Sequence, residues 1–146
     1  MTDAYVFDTE AMIAFLYDEP GHEYVGRLLE AVEAGEVRGL LSETNASEVY
    51  YLVARFEGTP DEKPTEASLR VADRDLRALT RLGVDLERAD WRLAGEVKAD
   101  GMISLADASA VALAHERGAT LVAGADDDFD ALPVDVEVER FRDHGV

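Results

Sequence analysis

Short β-rich apolar runs alternate along the chain with longer segments in which apolar residues recur every three or four positions. The first run, residues 4–7, ends abruptly at Asp8, which is the pattern of a strand buried in a parallel sheet. Further short strands are predicted at residues 37–41, 84–86 and 120–123, and one at the sheet edge at 134–138.

Helical spacing fills the intervals between these strands. Thr9 is a candidate N-cap for a helix that runs to about residue 17, and Gly118 closes an alanine-rich helix at residues 104–117. Other helices are predicted at 23–34, 42–56, 65–82 and 90–99. Strands alternating with helices favour an α/β fold with a mostly parallel central sheet covered on both faces, and 146 residues suit a single domain, 1–146.

Charge is the strongest feature of the composition. The chain carries 32 Asp and Glu against 14 Lys and Arg, a formal net charge of −18, and such self-repulsion destabilises the compact state in dilute buffer. Concentrated salt shortens the screening distance to roughly 3 Å near 1 M. We interpret the chain as a cytoplasmic protein from an organism with a salty interior, with a basic partner as the alternative.

Several classes of protein are excluded or disfavoured. The chain has no cysteine, so disulfides, thiolate nucleophiles and Cys-based zinc sites are excluded. The N-terminus is acidic and has no long apolar stretch, so no signal peptide is predicted. No segment approaches the ~20 apolar residues needed to span a bilayer, and a membrane association is therefore not expected.

Four acidic residues are placed where ligands bind in open α/β sheets, in the crevice beyond the carboxyl ends of the strands. Asp8 and Asp126 follow two predicted strands, while Glu48 and Asp107 lie on helices that can face the same crevice. Converging carboxylates push one another towards protonation unless a cation relieves the repulsion. Oxygen-only ligands select a hard ion, Mg²⁺ or Mn²⁺.

Each of these residues also has a purely structural interpretation. Asp8 can cap the first helix, and Asp107 matches a capping-box position three residues after Ser104. Glu48 can be a solvated helix residue, and Asp126 can belong to an acidic surface loop. Taken singly, the structural interpretation is the better one, so the hypothesis of a metal site depends on the ordered set.

That set resembles the PIN-domain family, particularly its VapC-type toxin branch, across nearly the whole chain. The matching segments are Y5-V6-F7-D8-T9, E43-T44-N45-A46-S47-E48-V49-Y50, I103-S104-L105-A106-D107-A108 and D126-D127-D128-F129-D130-A131-L132. The resemblance implies a three-layer α/β/α PIN-like fold and a Mg²⁺- or Mn²⁺-dependent endoribonuclease. It places the family's four acidic positions, catalytic and metal-binding, at Asp8, Glu48, Asp107 and Asp126, with Asp128 in reserve.

The same resemblance implies partners. It points to an RNA substrate, a toxin held inactive by a cognate antitoxin protein, and a homodimer as the toxin unit. One departure is Gly124, where the family often has a Thr or Ser whose hydroxyl helps to position water or substrate. Thr9 or Ser104 is the alternative source of a hydroxyl group.

Basic residues are concentrated in one stretch. Arg70, Arg74, Arg77 and Arg81 follow i, i+4, i+7, i+11 spacing and share one helical face. Two interpretations stay open: a face that guides phosphates or docks an acidic partner, or a solvated face with i,i+4 pairs such as Glu66–Arg70 and Asp73–Arg77. The second is favoured.

Other functions remain in view. The closest is a PIN nuclease that processes ribosomal or transfer RNA, since the same site would serve it. A catalytically silent PIN domain acting as an RNA-binding or assembly module is a second. A phospho-acceptor signalling domain is disfavoured, because that site needs a lysine after a late strand and no lysine follows Lys98.

Overall fold

The computed structural model describes residues 3–124 and 127–144 and contains one five-stranded sheet. Its strand order is β3-β2-β1-β4-β5, and every strand pairing in these ranges is parallel. The strands are β1 (Ala4–Phe7), β2 (Arg38–Ser42), β3 (Asp85–Glu87), β4 (Thr120–Ala123) and β5 (Val138–Arg140).

Helices cover both faces of the sheet. They are α1 (Thr9–Leu16), α2 (His22–Glu33), α3 (Glu43–Phe56), α4 (Glu66–Leu82), α5 (Trp91–Asp100) and α6 (Leu105–Arg117), with short 3-10 helices at Asp127–Phe129 and Phe141–His144. The predicted three-layer α/β/α fold with a parallel central sheet is confirmed. None of the helices in the described ranges has the length and apolar composition needed to cross a bilayer.

Side-chain alternation along the strands divides the core into two layers. Phe7 points towards α1 to α4, and its neighbour Val6 points to the opposite face, where α5 and α6 pack. Both side chains are fully buried. The alanine-rich α6 is buried along most of its length, so its backbone packs closely against the sheet and fixes the position of its first turn.

Two local predictions need correction. Of the two candidate caps of α1, Thr9 is wrong and Asp8 is confirmed, because the Asp8 carboxylate accepts a hydrogen bond from the Ala11 amide at 2.7 Å. The edge strand was predicted at 134–138 but is formed by Val138–Arg140. Val134 and Val136 pack against the core from a non-regular segment. Their alternation with acidic residues along the sequence is the same as that of a half-buried strand.

Candidate active site

Parallel strands bring their carboxyl ends to one edge of the sheet, and the candidate site lies there. Asp8 directly follows β1, and Gly124 directly follows the adjacent strand β4. Helices α3 and α6 pack against each other at the same edge. Glu48 and Asp107, which these two helices carry, line one cleft together with Thr9, Glu10, Ser104 and Arg142.

Among the described acidic residues of the site, Asp8 is the most deeply buried. Its side chain is 1% exposed, and its two oxygens accept hydrogen bonds from backbone amides, Oδ1 from Ala11 at 2.7 Å and Oδ2 from Gly124 at 3.3 Å. The structural role as a helix cap and a role in the site are therefore compatible. The cap uses one oxygen and fixes the orientation of the other.

Electrostatics at Asp8 favour the neutral form in the protein alone. The pKa of Asp8 is raised from an ordinary 3.8 to about 8. Burial is the largest cause, and the negative charges of Asp107 and Glu10 act in the same direction, against the two amide hydrogen bonds, which lower the pKa. The charges of Asp107 and Glu10 thus act directly on the Asp8 carboxyl group. A cation bound beside it would reverse the balance.

A buried polar network joins the helices that carry the acidic residues. Asn45 is fully buried near the start of α3, and its Nδ2 donates to Thr9 Oγ1 at 3.0 Å. Its Oδ1 accepts from the hydroxyl of Ser42, the N-cap of α3. Glu48 lies three residues after Asn45, so this network fixes the turn that presents Glu48 relative to the turn that presents Asp8.

Asp107 occupies the first turn of α6. Its backbone amide donates to Ser104 Oγ at 3.1 Å, so Ser104 caps the helix as the sequence predicts. The Asp107 side chain lines the cleft together with Glu48.

The other predicted acidic positions, Asp126 and Asp128, follow β4 in the sequence. Asp126 is outside the described residues. Asp128 is half-buried in the 3-10 helix Asp127–Phe129. Arg140 of β5 contacts two described residues of this part of the chain, because it donates to the Gly124 carbonyl at 3.3 Å and pairs with Asp130. Within residues 3–124 and 127–144, no three acidic or histidine side chains are gathered closely enough to hold an ion by themselves.

Three residues of this edge were missed by sequence reasoning: Glu10, Asn45 and Arg142. Glu10 follows Asp8 by two positions, and Asn45 precedes Glu48 by one helical turn, so local spacing held a signal for both. Arg142 is 134 residues from Asp8, and nothing in the local pattern indicates that it reaches the cleft.

The Glu10 side chain occupies the space beside Gly124, where the family often has a Thr or Ser. A Cβ atom at position 124 would lie 1.8 Å from Glu10 Oε2, so the Glu10 carboxylate fills the space that a Thr or Ser side chain would occupy. The Gly124 backbone is not among the described positions with positive φ, and the obstacle is therefore the Glu10 side chain. Thr9 and Ser104 both line the cleft, and their hydroxyl groups accept hydrogen bonds from Asn45 and Asp107.

This contact predicts energetic coupling between positions 10 and 124. Gly124→Ser alone should destabilise the protein by about 1 kcal/mol, because Glu10 must leave its place. In the Glu10→Ala background the same substitution should cost little, which gives a coupling energy of about 1 kcal/mol. A double-mutant cycle by urea unfolding in concentrated KCl measures the coupling, and additive effects would contradict the contact.

The chain is similar to known proteins in both sequence and fold. Residues 5–135 match the sequence model of the PIN domain. A search of curated proteins finds no match.

Among solved structures, VapBC2 from Rickettsia felis, bound to a DNA fragment from its promoter, is similar with a TM-score of 0.68 and 15% identity, covering 94% of this chain and 98% of that one. FitAcB from Neisseria gonorrhoeae gives 0.64 and 18%, covering 94% and 97%. VapC20 from Mycobacterium tuberculosis, a sarcin-ricin loop cleaving toxin, gives 0.54 and 19%, covering 80% and 85%. With the family model matching most of its length, this chain belongs to the PIN-domain family.

Proposed function

We propose that this protein is a divalent-metal-dependent endoribonuclease and the toxin of a toxin–antitoxin pair. The observation that carries the proposal is the shared edge of Asp8, Glu48 and Asp107. Glu48 and Asp107 line one cleft, and the charge of Asp107 acts on the buried Asp8 carboxyl group. Three acids that are distant in the chain thus lie at one edge of the sheet, beyond the ends of parallel strands, and this supports a ligand site there.

The residues fit a hard cation such as Mg²⁺ or Mn²⁺. All candidate donors are oxygen atoms, and burial beside other negative charges has already raised the pKa of Asp8, so positive charge at this place relieves an existing cost. We assign the ion to Asp8, Asp107 and Asp126, directly or through water, with Glu48 as a further ligand or as a residue that orients water. An incomplete protein shell suits Mg²⁺, which usually keeps several waters and binds few carboxylates.

The residues around the proposed ion suit the cleavage of a phosphodiester. An ion held by these residues would lower the pKa of a neighbouring water and would stabilise negative charge on the attacking and leaving oxygens. Asp8 is held by two backbone amides, and the Glu48 carboxylate accepts a hydrogen bond from the Tyr51 hydroxyl at 3.3 Å, so both groups have a partner that orients them before substrate arrives. The acidic groups themselves repel RNA, and the ion supplies part of the missing positive charge.

Partners belong to the same proposal. The similar structures include VapBC2, which is bound to a DNA fragment from its promoter, and VapC20, which is described as a toxin that cleaves the sarcin-ricin loop. We propose a cognate antitoxin protein and a homodimer for this chain. A short neighbouring reading frame with a DNA-binding N-terminus favours the toxin, and its absence favours an RNA-processing nuclease.

The decisive test is cleavage of RNA by the purified protein. The native chain is incubated with structured RNA and Mn²⁺ in concentrated KCl, next to Asp107→Asn and to a matched control, Asp100→Asn. Asp100 is exposed at the end of α5 and is not among the residues that line the cleft. Asp107→Asn should lose most of the activity and Asp100→Asn none. Equal cleavage by all three proteins would indicate a contaminant or another site, and no cleavage by the native protein would favour a silent PIN domain.

A further inference from the structure

The cleft of the proposed nuclease must accept a phosphodiester although most of the charged residues in its described lining are acidic. Glu10, Glu48 and Asp107 contribute negative charge to that lining, and among its described residues Arg142 is the one with positive charge. None of the arginines of α4 is among them. Arg77, for example, is held by Asp73 through an Nε–Oδ2 contact of 2.7 Å on the same helix, as the solvated-face interpretation predicts.

Arg142 is presented by a firmly packed turn. It follows Phe141, whose side chain is fully buried in the core. That turn approaches Gly21 so closely that a Cβ atom there would lie 2.6 Å from the Phe141 ring, and Gly21 has a φ of +89° that favours glycine. The start of α2 and the C-terminal turn therefore interlock, which fixes the origin of the Arg142 side chain.

The guanidinium group is also held in place. Nη1 donates to the Pro20 carbonyl at 2.8 Å, and Nη2 lies 3.3 Å from Glu10 Oε1 and 3.7 Å from Glu19 Oε1. The Arg142 side chain is only 23% exposed. Holding an arginine before the ligand arrives lowers the entropy that binding costs.

A guanidinium carries five N–H donors in a planar fork that matches two phosphate oxygens. The contacts with Pro20, Glu10 and Glu19 involve only the two terminal nitrogens, and the two glutamates are half exposed and screened by solvent. Donors thus remain for a further anion in the cleft. The structural alternative is that Arg142 only anchors the C-terminal turn to the α1–α2 connection.

We propose that Arg142 binds a phosphate of the RNA substrate beside the acidic residues of the cleft. This inference rests on the proposed function, since it names the group that recognises the substrate of that site. Glu10 then has a second effect, because its carboxylate competes with the phosphate for the same guanidinium.

The test separates binding from cleavage. Binding of a fluorescently labelled single-stranded RNA is measured by anisotropy in Ca²⁺ over a series of KCl concentrations, and cleavage is measured in Mn²⁺. The variants are Arg142→Gln, Arg142→Lys, Glu10→Gln and a control, Arg70→Gln. Arg70 is an exposed arginine of α4, so its replacement makes the same change in net charge away from the cleft.

Arg142→Gln should weaken RNA binding about tenfold or more, reduce the slope of log affinity against log salt by about 0.7, and raise KM more than it lowers kcat. Arg142→Lys should be intermediate, and Glu10→Gln should bind more tightly than the native chain. Arg70→Gln should differ little from it.

Equal affinities for Arg142→Gln and Arg70→Gln, with only the melting temperature of the former lowered, would overturn the proposal in favour of the anchoring role. If Arg142→Gln does not fold, Glu10→Gln decides, and unchanged binding by that variant overturns the proposal. Absence of cleavage by the native chain would remove the nuclease assignment while the anisotropy comparison still tests Arg142.

Discussion

Asp8→Asn is expected to lose RNA cleavage by about 10³-fold or more and, in buffer without divalent ions, to make the fold more stable. The first effect follows from removing a carboxylate assigned to the ion: metal stabilisation of the transition state amounts to several kcal/mol, and about 4 kcal/mol corresponds to a factor of 10³. The second effect follows from the burial of this group and its raised pKa.

The raised pKa of Asp8 fixes the direction of the stability change. The pKa of Asp8 in the folded protein, about 8, lies above its ordinary value of 3.8, so the folded state holds the proton more tightly than the unfolded state. The free energy of unfolding therefore falls progressively as pH rises from about 4 to about 8, because in this range the unfolded state loses the Asp8 proton more readily than the folded state. Above about pH 8 this loss of stability is complete. An asparagine does not ionise, and its advantage over the native residue should grow through the same window.

Replacement by asparagine also removes one hydrogen bond. The asparagine side-chain oxygen can accept from the Ala11 amide and cap α1, but its NH₂ group cannot accept from the Gly124 amide. That bond is long, at 3.3 Å, and should contribute about 1 kcal/mol or less. A shift from 3.8 to about 8 sets an upper limit of about 6 kcal/mol for this effect. We therefore expect a net stabilisation of about 2 kcal/mol or more at pH 8 that disappears near pH 4. Urea unfolding at both pH values, in concentrated KCl with EDTA, measures it.

Divalent ions provide the control. Mn²⁺ should stabilise the native chain by mass action and Asp8→Asn much less. The stability advantage of Asp8→Asn over the native chain should therefore become smaller or reverse when the ion is added. A constant difference between the two proteins from pH 4 to pH 8 would show that Asp8 is not ionised at a cost. Full cleavage by Asp8→Asn would remove this residue from the site.

Stability should depend strongly on salt. The net charge of −18 is spread over a small domain, and the Debye length falls from about 10 Å at 0.1 M to about 3 Å at 1 M. We expect the melting temperature to rise by about 10 °C or more between 0.2 M and 3 M KCl, which corresponds to roughly 3 kcal/mol for a chain of this length. Thermal unfolding followed by circular dichroism measures the change.

A matched variant isolates the role of charge from general salting-out. Glu33 and Glu36 are exposed near the end of α2, and their joint replacement by glutamine removes two negative charges without touching the core. That variant should melt higher than the native chain at 0.2 M KCl and about equally at 3 M. A melting temperature that does not change with KCl would contradict the interpretation that this composition is adapted to a salty interior.

The parallel three-layer fold could be predicted from the sequence, because strand and helix periodicities report which side chains face the core. Most element boundaries agree within one or two residues. The edge strand was misplaced because Val134 and Val136 alternate with acidic residues just as a strand would, although they pack from an irregular segment. Backbone pairing with β4 begins only at Glu137 and Val138, and such pairing is not visible in side-chain pattern.

The sequence by itself determined the strand–helix alternation, the acidic character of the chain and the places where acids follow strands or open helices. These properties depend on residues that are neighbours in the chain. Only the tertiary structure decided that Glu10 fills the space above Gly124 and that Arg142 reaches the cleft from the C-terminal turn. Those contacts join positions more than 100 residues apart, and they depend on how α1, β4 and that turn pack together, for which no local pattern gives a signal.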